Sequence, residues 1–198
     1  ARGVQRGDRV VLFLDNCIEA AVGVWAVLKA GAVFVMANPT TKPDKLTYLL
    51  NNSLASCVIA QSKRLRGCET IWAETPHLKN VVVVGNSEDV VDCTHPLTSW
   101  NDLVAEHQEN TLPPTKCCID VDLASLVYTS GSTGHPKGVM LTHANMVAAN
   151  NSITTYLQNT PNDIVLNVLP LSFDYGLYQW LMCCNFGGKL VLEKAFPY

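Results

Sequence analysis

The chain has 198 residues and a hydrophobic fraction of 48%, which is ordinary for a globular protein and sufficient to bury a sizeable core. A formal net charge of −3, without a basic stripe, argues against a nucleic-acid-binding protein. No signal peptide and no apolar run of membrane-spanning length is evident, so we expect a cytoplasmic protein.

The first part of the chain alternates apolar, strand-like runs with helix-like segments. The predicted strands are Arg9 to Leu14, Ala32 to Met36, Cys57 to Ala60 and Asn80 to Val84. The predicted helices are Asn16 to Lys29, Lys42 to Asn52, Arg64 to Glu74 and Ser99 to His107. A connector rich in proline and polar residues, Gln108 to Asp120, follows them and indicates either a loop at the rim of the sheet or a boundary between a first α/β portion, 1–120, and a second, 121–198.

The first predicted helix allows the most detailed expectations. Asn16 precedes the helical pattern and is a candidate N-cap. The apolar residues at helical spacing predict the face that packs on the core, and they are Ile18, Ala21, Val22, Trp25 and Leu28. Trp25 is therefore expected in the core rather than at a ligand site.

The second part continues the alternation. A strand from Ala124 to Tyr128 is followed by a glycine-rich loop and by a helix from Thr142, its N-cap, to about Leu157. The remaining predicted elements are a strand at Ile164 to Leu169, a helix at Tyr175 to Asn185 and a strand at Lys189 to Leu192. This order predicts an α/β fold with a mostly parallel, doubly wound sheet and helices on both faces. Ligands of such sheets bind at the carboxyl ends of the strands.

The glycine-rich loop is the run Tyr128-Thr-Ser-Gly-Ser-Thr-Gly-His-Pro-Lys-Gly138, which holds three glycines, four small hydroxyl residues and one lysine. Glycines let backbone N–H groups turn inward, hydroxyls add donors and the lysine adds a positive charge, so the loop can hold a phosphate. It is not a Walker motif, because Gly138 rather than Ser or Thr follows Lys137. A stretch of this composition can also be an ordinary surface turn.

Thr129 through Gly138 match every place of the pattern [ST]-[SG]-G-[ST]-[TE]-G-x-P-K-G. The chain therefore resembles the adenylate-forming (AMP-binding) superfamily, which comprises acyl-CoA synthetases, luciferases and the adenylation domains of nonribosomal peptide synthetases. The segments Gly7 to Leu14, Leu28 to Pro39 and Leu169 to Gly176 are also similar to family segments, so the resemblance covers nearly the whole chain. It implies part of the large N-terminal domain of such an enzyme.

The resemblance implies activation of a carboxylic acid with ATP to an acyl- or aminoacyl-adenylate, followed by thioester formation on CoA or on the phosphopantetheine of a carrier protein. It implies Lys137 as a catalytic residue that neutralises the departing pyrophosphate. The residues expected to hold the nucleotide phosphates are Thr129, Ser130, Gly131, Ser132, Thr133, Gly134, Lys137 and Gly138.

Two residues are implied as substrate contacts. Phe173 stands where many acyl-CoA synthetases carry His and peptide-synthetase domains carry Phe. Asp174 falls where amino-acid-activating members carry an Asp that pairs with the substrate ammonium group, and such a pairing is specific because an unpaired buried charge is costly. The alternative for Asp174 is that it caps the helix that follows.

The chain begins without Met and lacks the family segments for adenine, ribose and Mg²⁺ and the second catalytic lysine. We therefore expect an incomplete fragment, inactive alone, with the Mg²⁺ ligands mostly outside it. The alternative is a truncated or degenerate nucleotide-binding module without catalysis. The identity of the acid and of the acceptor thiol stays open.

Eight cysteines are a high count, but none stand in C-x-x-C spacing, and two pairs, Cys117-Cys118 and Cys183-Cys184, are adjacent. Adjacent cysteines rarely bridge each other, and the five histidines do not fall into zinc-ligand spacing. We therefore expect reduced, mostly buried thiols and no metal site.

Overall fold

A computed structural model describes residues 3–90, 92–107, 118–129 and 136–194 and contains nine strands in these ranges. Seven of the strands form one sheet: β1 Arg9–Phe13, β2 Val33–Met36, β3 Ala55–Gln61, β4 Asn80–Val84, β5 Leu97–Ser99, β6 Leu123–Thr129 and β7 Lys137–Thr142. Their order is β5-β4-β3-β1-β2-β6-β7, and all neighbours are parallel except β6 and β7. A separate two-stranded parallel sheet consists of β8 Ile164–Asn167 and β9 Lys189–Leu192.

The helices cover both faces of the large sheet. They are α1 Ile18–Lys29, α2 Pro43–Asn52, α3 Ser62–Leu65, α4 Glu69–Glu74, α5 Trp100–Ala105, α6 His143–Leu157 and α7 Asp174–Phe186. Because successive side chains of a strand point to opposite faces, Val10 and Leu12 pack with α1, α6 and α7, whereas Val11 and Phe13 pack with α2 to α4. The predicted fold class, a mostly parallel sheet with helices on both faces, is confirmed.

The strand β7 was not expected, because the sequence predicted a loop that leads directly into a helix. Instead, Lys137–Thr142 pairs antiparallel with β6, and Thr129 lies opposite Lys137. Thr142 then caps α6, as predicted: its hydroxyl accepts from the Asn145 N–H, and the Asn145 side chain accepts from the Thr142 N–H. The glycine-rich segment is thus the connection of a β-hairpin.

The prediction that Asn16 caps α1 is wrong. The N-cap is Cys17, and the Asn16 side chain is only 5% exposed. Its amide donates to the carbonyls of Leu169 and Glu193, both at 2.9 Å, and its oxygen accepts from the Leu171 N–H at 2.9 Å. A buried amide with three partners satisfies backbone groups of distant segments, so Asn16 joins the end of β1 to the segments that follow β8 and β9.

The predicted apolar face of α1 is wrong for Ile18, Val22 and Trp25, which are exposed, whereas Ala21 and Leu28 are half-buried and pack against the core as predicted. Ile18 is 76% exposed and Trp25 is 40% exposed, whereas Ala20, Gly23, Val24 and Val27 are buried. Gly23 explains the rotation, since a Cβ at this position would stand 2.6 Å from a methyl group of Leu12. The helix therefore approaches the sheet through its small residues, and Trp25 packs instead beside Trp180 of α7, with 5.6 Å between ring centroids.

The seven cysteines in the described residues are unpaired, and Cys117 lies outside this part of the chain. The expectation that they are mostly buried is wrong for the described residues, because only Cys57, Cys68 and Cys183 are buried. Burial raises the pKa of Cys57 to about 12 and that of Cys17 to about 11, so both thiols stay protonated at neutral pH. Cys184, in contrast, is exposed. Within the described ranges, no helix is long and apolar enough to cross a membrane.

Candidate functional site

A cavity of about 510 Å³ opens where β2 and β6 end. Around it lie the segment that follows β2, the helix α2, the end of β6, Pro136 and the start of α7. Its lining residues are Met36, Asn38, Thr41, Lys45, Leu49, Val127, Tyr128, Thr129, Pro136, Ser172, Phe173 and Asp174. The cavity therefore lies at the carboxyl ends of parallel strands, where ligands of α/β sheets bind.

The predicted phosphate-binding residues are placed as follows. Thr129 ends β6, is exposed and lines the cavity. Lys137 begins β7 opposite Thr129, and its side chain is exposed, although it is not among the residues that line the cavity. Gly138 lies opposite Tyr128. The other predicted members, Ser130, Gly131, Ser132, Thr133 and Gly134, lie outside the described residues.

The two predicted substrate residues line the same cavity as Thr129. Phe173 is the N-cap of α7 and is exposed, and Asp174 is the first residue of that helix. Asp174 is therefore not the N-cap, but its carboxylate accepts a hydrogen bond from the Tyr175 N–H at 2.7 Å. The structure thus brings together two predicted groups that are about 45 residues apart in sequence.

Several lining residues were missed by the reasoning from sequence. Lys45 of α2 adds a second exposed ammonium group, and Thr41 and Asn38 add polar side chains. Ser172 contributes a hydroxyl oxygen that is buried and has no hydrogen-bond partner among the described residues. No motif signals these residues, because they reach the cavity only once α2 and the segment before α7 pack beside the end of β6.

Two tyrosines near the cavity remain protonated at neutral pH. Burial is the main cause that raises the pKa of Tyr128, and the neighbouring Tyr48 adds to it. Burial also raises the pKa of Tyr178, and the negative charge of Asp174 raises it further. Tyr178 is therefore a neutral hydrogen-bond donor close to Asp174.

The family model for AMP-binding enzymes matches residues 1–198. The chain belongs to this family. A 4-hydroxybenzoate–CoA/benzoate–CoA ligase of Rhodopseudomonas palustris is 31% identical to it over 196 residues, which cover 98% of this chain and 35% of the ligase. Bacitracin synthase 1 of Bacillus licheniformis is 28% identical over 193 residues, which cover 96% of this chain and 3% of the synthase.

Solved structures share the fold. VinN in complex with 3-methylaspartate superposes with a TM-score of 0.73 at 32% sequence identity, covering 96% of this chain and 49% of VinN. The predicted resemblance to AMP-binding enzymes is confirmed by these findings. The chain spans less than half the length of each of these three relatives.

The position of the cavity in this AMP-binding chain differs from that in other sheets with the same strand order. The order β5-β4-β3-β1-β2 has its switch point between β1 and β3, and ligands commonly bind there. In this chain the protein's own side chains occupy that edge: Asp15 contacts Lys63 at 2.6 Å and Arg64 at 2.5 Å, and Asn16 binds the segments of the second sheet. The cavity lies instead toward β2 and β6.

The chemistry open to the described site is the binding of an anion beside a pocket whose lining is mostly apolar. Thr129 offers a hydroxyl, and Lys45 and Lys137 offer positive charges. The described residues contain no group of three or more His, Cys, Asp or Glu side chains that could hold a metal ion, so they do not fit a Mg²⁺ site.

Proposed function

We propose that this chain is the phosphate-binding part of an enzyme that activates a carboxylic acid with ATP and passes the acyl group to a thiol. The observation that carries the proposal is the placement of Thr129 directly opposite Lys137, beside a cavity that also contains Phe173 and Asp174. A site for the triphosphate and a site for the acid must be adjacent if the two are to react. The match over residues 1–198 to the AMP-binding family supports the proposal.

In the proposed reaction, an oxygen of the substrate carboxylate forms a bond to the α-phosphorus of ATP. The bond from that phosphorus to the bridging oxygen breaks, and pyrophosphate leaves with the electron pair. Two anions have to meet and a third has to depart, so fixed donors and positive charges lower the barrier. We assign this task to the Thr129 hydroxyl and the Lys137 ammonium group, together with Ser130, Ser132 and Thr133, while Gly131 and Gly134 let the backbone approach.

A thiol then completes the reaction. Its sulfur attacks the acyl carbon of the adenylate, and AMP leaves, so that a thioester forms on CoA or on the phosphopantetheine of a carrier protein. A ligase named for CoA and bacitracin synthase 1, of which the chain covers only 3%, are both among the relatives, which supports either acceptor. We propose that the Mg²⁺ ligands lie mostly outside the chain, because the described residues contain no group of His, Cys, Asp or Glu side chains that could hold the ion.

We propose an α-amino acid as the substrate class. The Asp174 carboxylate lines the cavity and can pair with a substrate ammonium group, and Phe173 lines the cavity beside it. The complex of VinN with 3-methylaspartate supports this class. The alternative is an aryl or aliphatic acid, which the similarity to a benzoate–CoA ligase favours.

Pyrophosphate–ATP exchange tests the function. With the complete protein, we expect exchange that depends on the added acid and falls about 10²-fold in Lys137→Ala, because one charge opposite the leaving group is lost. Lys79→Ala, at an exposed lysine just before β4, is the matched control. A complete protein that binds a non-hydrolysable ATP analogue but shows no exchange would instead be the binding module without catalysis.

A panel of acids distinguishes the substrate classes. Asp174→Ala should abolish exchange with amino acids while leaving exchange with aryl and fatty acids unchanged, and Asp102→Ala, in the first turn of α5, should change neither. If Asp174→Ala leaves exchange unchanged for every acid tested, Asp174 does not pair with a substrate ammonium group. We expect the 198-residue chain alone to show no exchange, and robust exchange would contradict its proposed incompleteness.

A further inference from the structure

The C-terminal half of α2 contacts β6 and the residue just before β7. Tyr48 and Asn52 lie four residues apart and therefore on one face of the helix. The Tyr48 hydroxyl donates to the carbonyl oxygen of Pro136 at 3.2 Å, just before β7. The Asn52 side-chain oxygen accepts from the Tyr128 hydroxyl at 2.7 Å, near the end of β6. One helix face thus holds both ends of the glycine-rich connection.

Gly138 allows the second of these contacts. It lies opposite Tyr128 in the antiparallel pair, and a Cβ at Gly138 would stand 3.2 Å from the Cζ atom of the Tyr128 ring. The ring therefore lies over Gly138, where a larger residue would force it to move. Because burial raises the pKa of Tyr128, the phenol stays protonated and donates to Asn52 at neutral pH.

We infer that Tyr48, Asn52 and Tyr128 are positioning residues that hold Thr129 and Lys137, the proposed phosphate contacts at the end of β6 and the start of β7. Tyr128 directly precedes Thr129, and Pro136 directly precedes Lys137, so each hydrogen bond restrains the neighbour of a proposed phosphate contact. This inference rests on the proposed function. A displacement of about 1 Å in a catalytic group can lower a rate about 10²-fold, so two restraints at the base of the loop matter for catalysis.

The test measures exchange kinetics of the complete protein with varied ATP and varied acid. The double variant Tyr48→Phe/Tyr128→Phe keeps both rings and removes both hydroxyls. We expect kcat to fall about 10-fold and KM for ATP to rise, with KM for the acid unchanged within about 2-fold, since the restraint acts on the phosphate side. Tyr156→Phe, at an exposed tyrosine of α6, should behave as wild type.

A conservative replacement separates positioning from general destabilisation. Asn52→Asp retains an oxygen that accepts from Tyr128 and should keep most of the activity, whereas Asn52→Ala should match Tyr128→Phe. Equal losses in Asn52→Asp and Asn52→Ala, or an equal rise in KM for both substrates, would overturn the inference.

Hydrogen exchange distinguishes failure of this inference from failure of the proposed function. The amides of β7 should exchange faster in the Tyr48→Phe/Tyr128→Phe variant than in wild type if α2 anchors the hairpin. Unchanged amide exchange together with unchanged kinetics overturns the positioning role and leaves the function intact. Absence of pyrophosphate exchange in the wild-type complete protein would overturn the proposed function. The contacts of Tyr48 and Asn52 would then have no role in catalysis.

Discussion

The two sheets of this molecule differ in how they are covered. In the large sheet, Phe34 of β2 is fully buried, and its partners Val10 in β1 and Ser125 in β6 are buried as well, because helices pack on both faces. In the small sheet, Ile164 of β8 is 66% exposed, and only alternate residues point toward α7. Parallel sheets are normally covered on both sides, so similar apolar strand sequences occupy two very different environments here.

Polar contacts provide much of the connection to the small sheet. Asn167, at the end of β8, is fully buried, and its amide donates to the Gly176 carbonyl of α7 at 2.9 Å. Asn16 reaches from the end of β1 to the segments after both small strands. We conclude that apolar burial stabilises the large sheet, whereas the small sheet is held against it by buried amides together with the packing of Leu190 and Leu192 on the shared core.

The largest expected change in the free energy of unfolding comes from removing a core side chain of the large sheet. Phe34→Ala should lower the free energy of unfolding by about 3–5 kcal/mol, because it removes buried area and leaves a cavity. Ile164→Ala in the small sheet should change it by about 0.5 kcal/mol or less. Urea unfolding of the chain measures both values, and similar losses at the two positions would contradict the difference between the sheets.

An intermediate effect is expected at the link between the sheets. Asn16→Ala should cost about 2–3 kcal/mol, since it leaves the Leu171 N–H and two carbonyls without their partner. Amides of β8 and β9 should lose protection more than those of β1 to β4. Asn51→Ala, which removes an exposed hydrogen bond to the Glu74 carbonyl, is the matched control. Uniform loss of protection across both sheets would show that Asn16 does not act as a specific link.

Much of the large sheet is predictable because its strands are continuous apolar runs between helical segments, as at Asn80–Val84. The buried face of α1 is not predictable in this way. The contact between Gly23 and Leu12 decides how the helix is rotated about its axis, and hydrophobic periodicity takes no account of how closely a helix approaches the sheet. Asn16 follows the N-cap rule in sequence, but tertiary partners that are about 150 residues away take its side chain.

The candidate site also combines residues that can be predicted from sequence with residues that cannot. Thr129, Lys137, Phe173 and Asp174 can be named from local motifs, and the fold places them around one region. The strand β7 is missed because its apolar residues, Val139 to Leu141, are few and lie between a loop and a helix signal. Tyr48 on α2 is missed because its role depends on how this helix lies against the hairpin.

The smallest expected change in the free energy of unfolding concerns Asp15. This residue precedes Asn16 in sequence, but its carboxylate pairs with Lys63 and Arg64 of α3 and not with the small sheet. Burial raises the pKa of Asp15, but hydrogen bonds and charges from Lys63 and Arg64 outweigh it and bring the pKa below its ordinary value of 3.8. A lowered pKa in the folded state gives stability that is present above about pH 4 and is lost as the pH falls through the folded value.

Asp15→Asn should therefore destabilise the chain at pH 7 by less than about 1 kcal/mol, because Lys63 is largely exposed and such pairs are screened by solvent. The difference from wild type should shrink as the pH falls below about 4, where the wild-type carboxylate also loses its charge. Urea unfolding at pH 7 and pH 3 measures this difference, with Asp44→Asn as a control at an exposed carboxylate of α2. A difference that stays constant between these pH values would mean that the Asp15 charge does not stabilise this edge, and Asn16 would then be the polar residue that matters there.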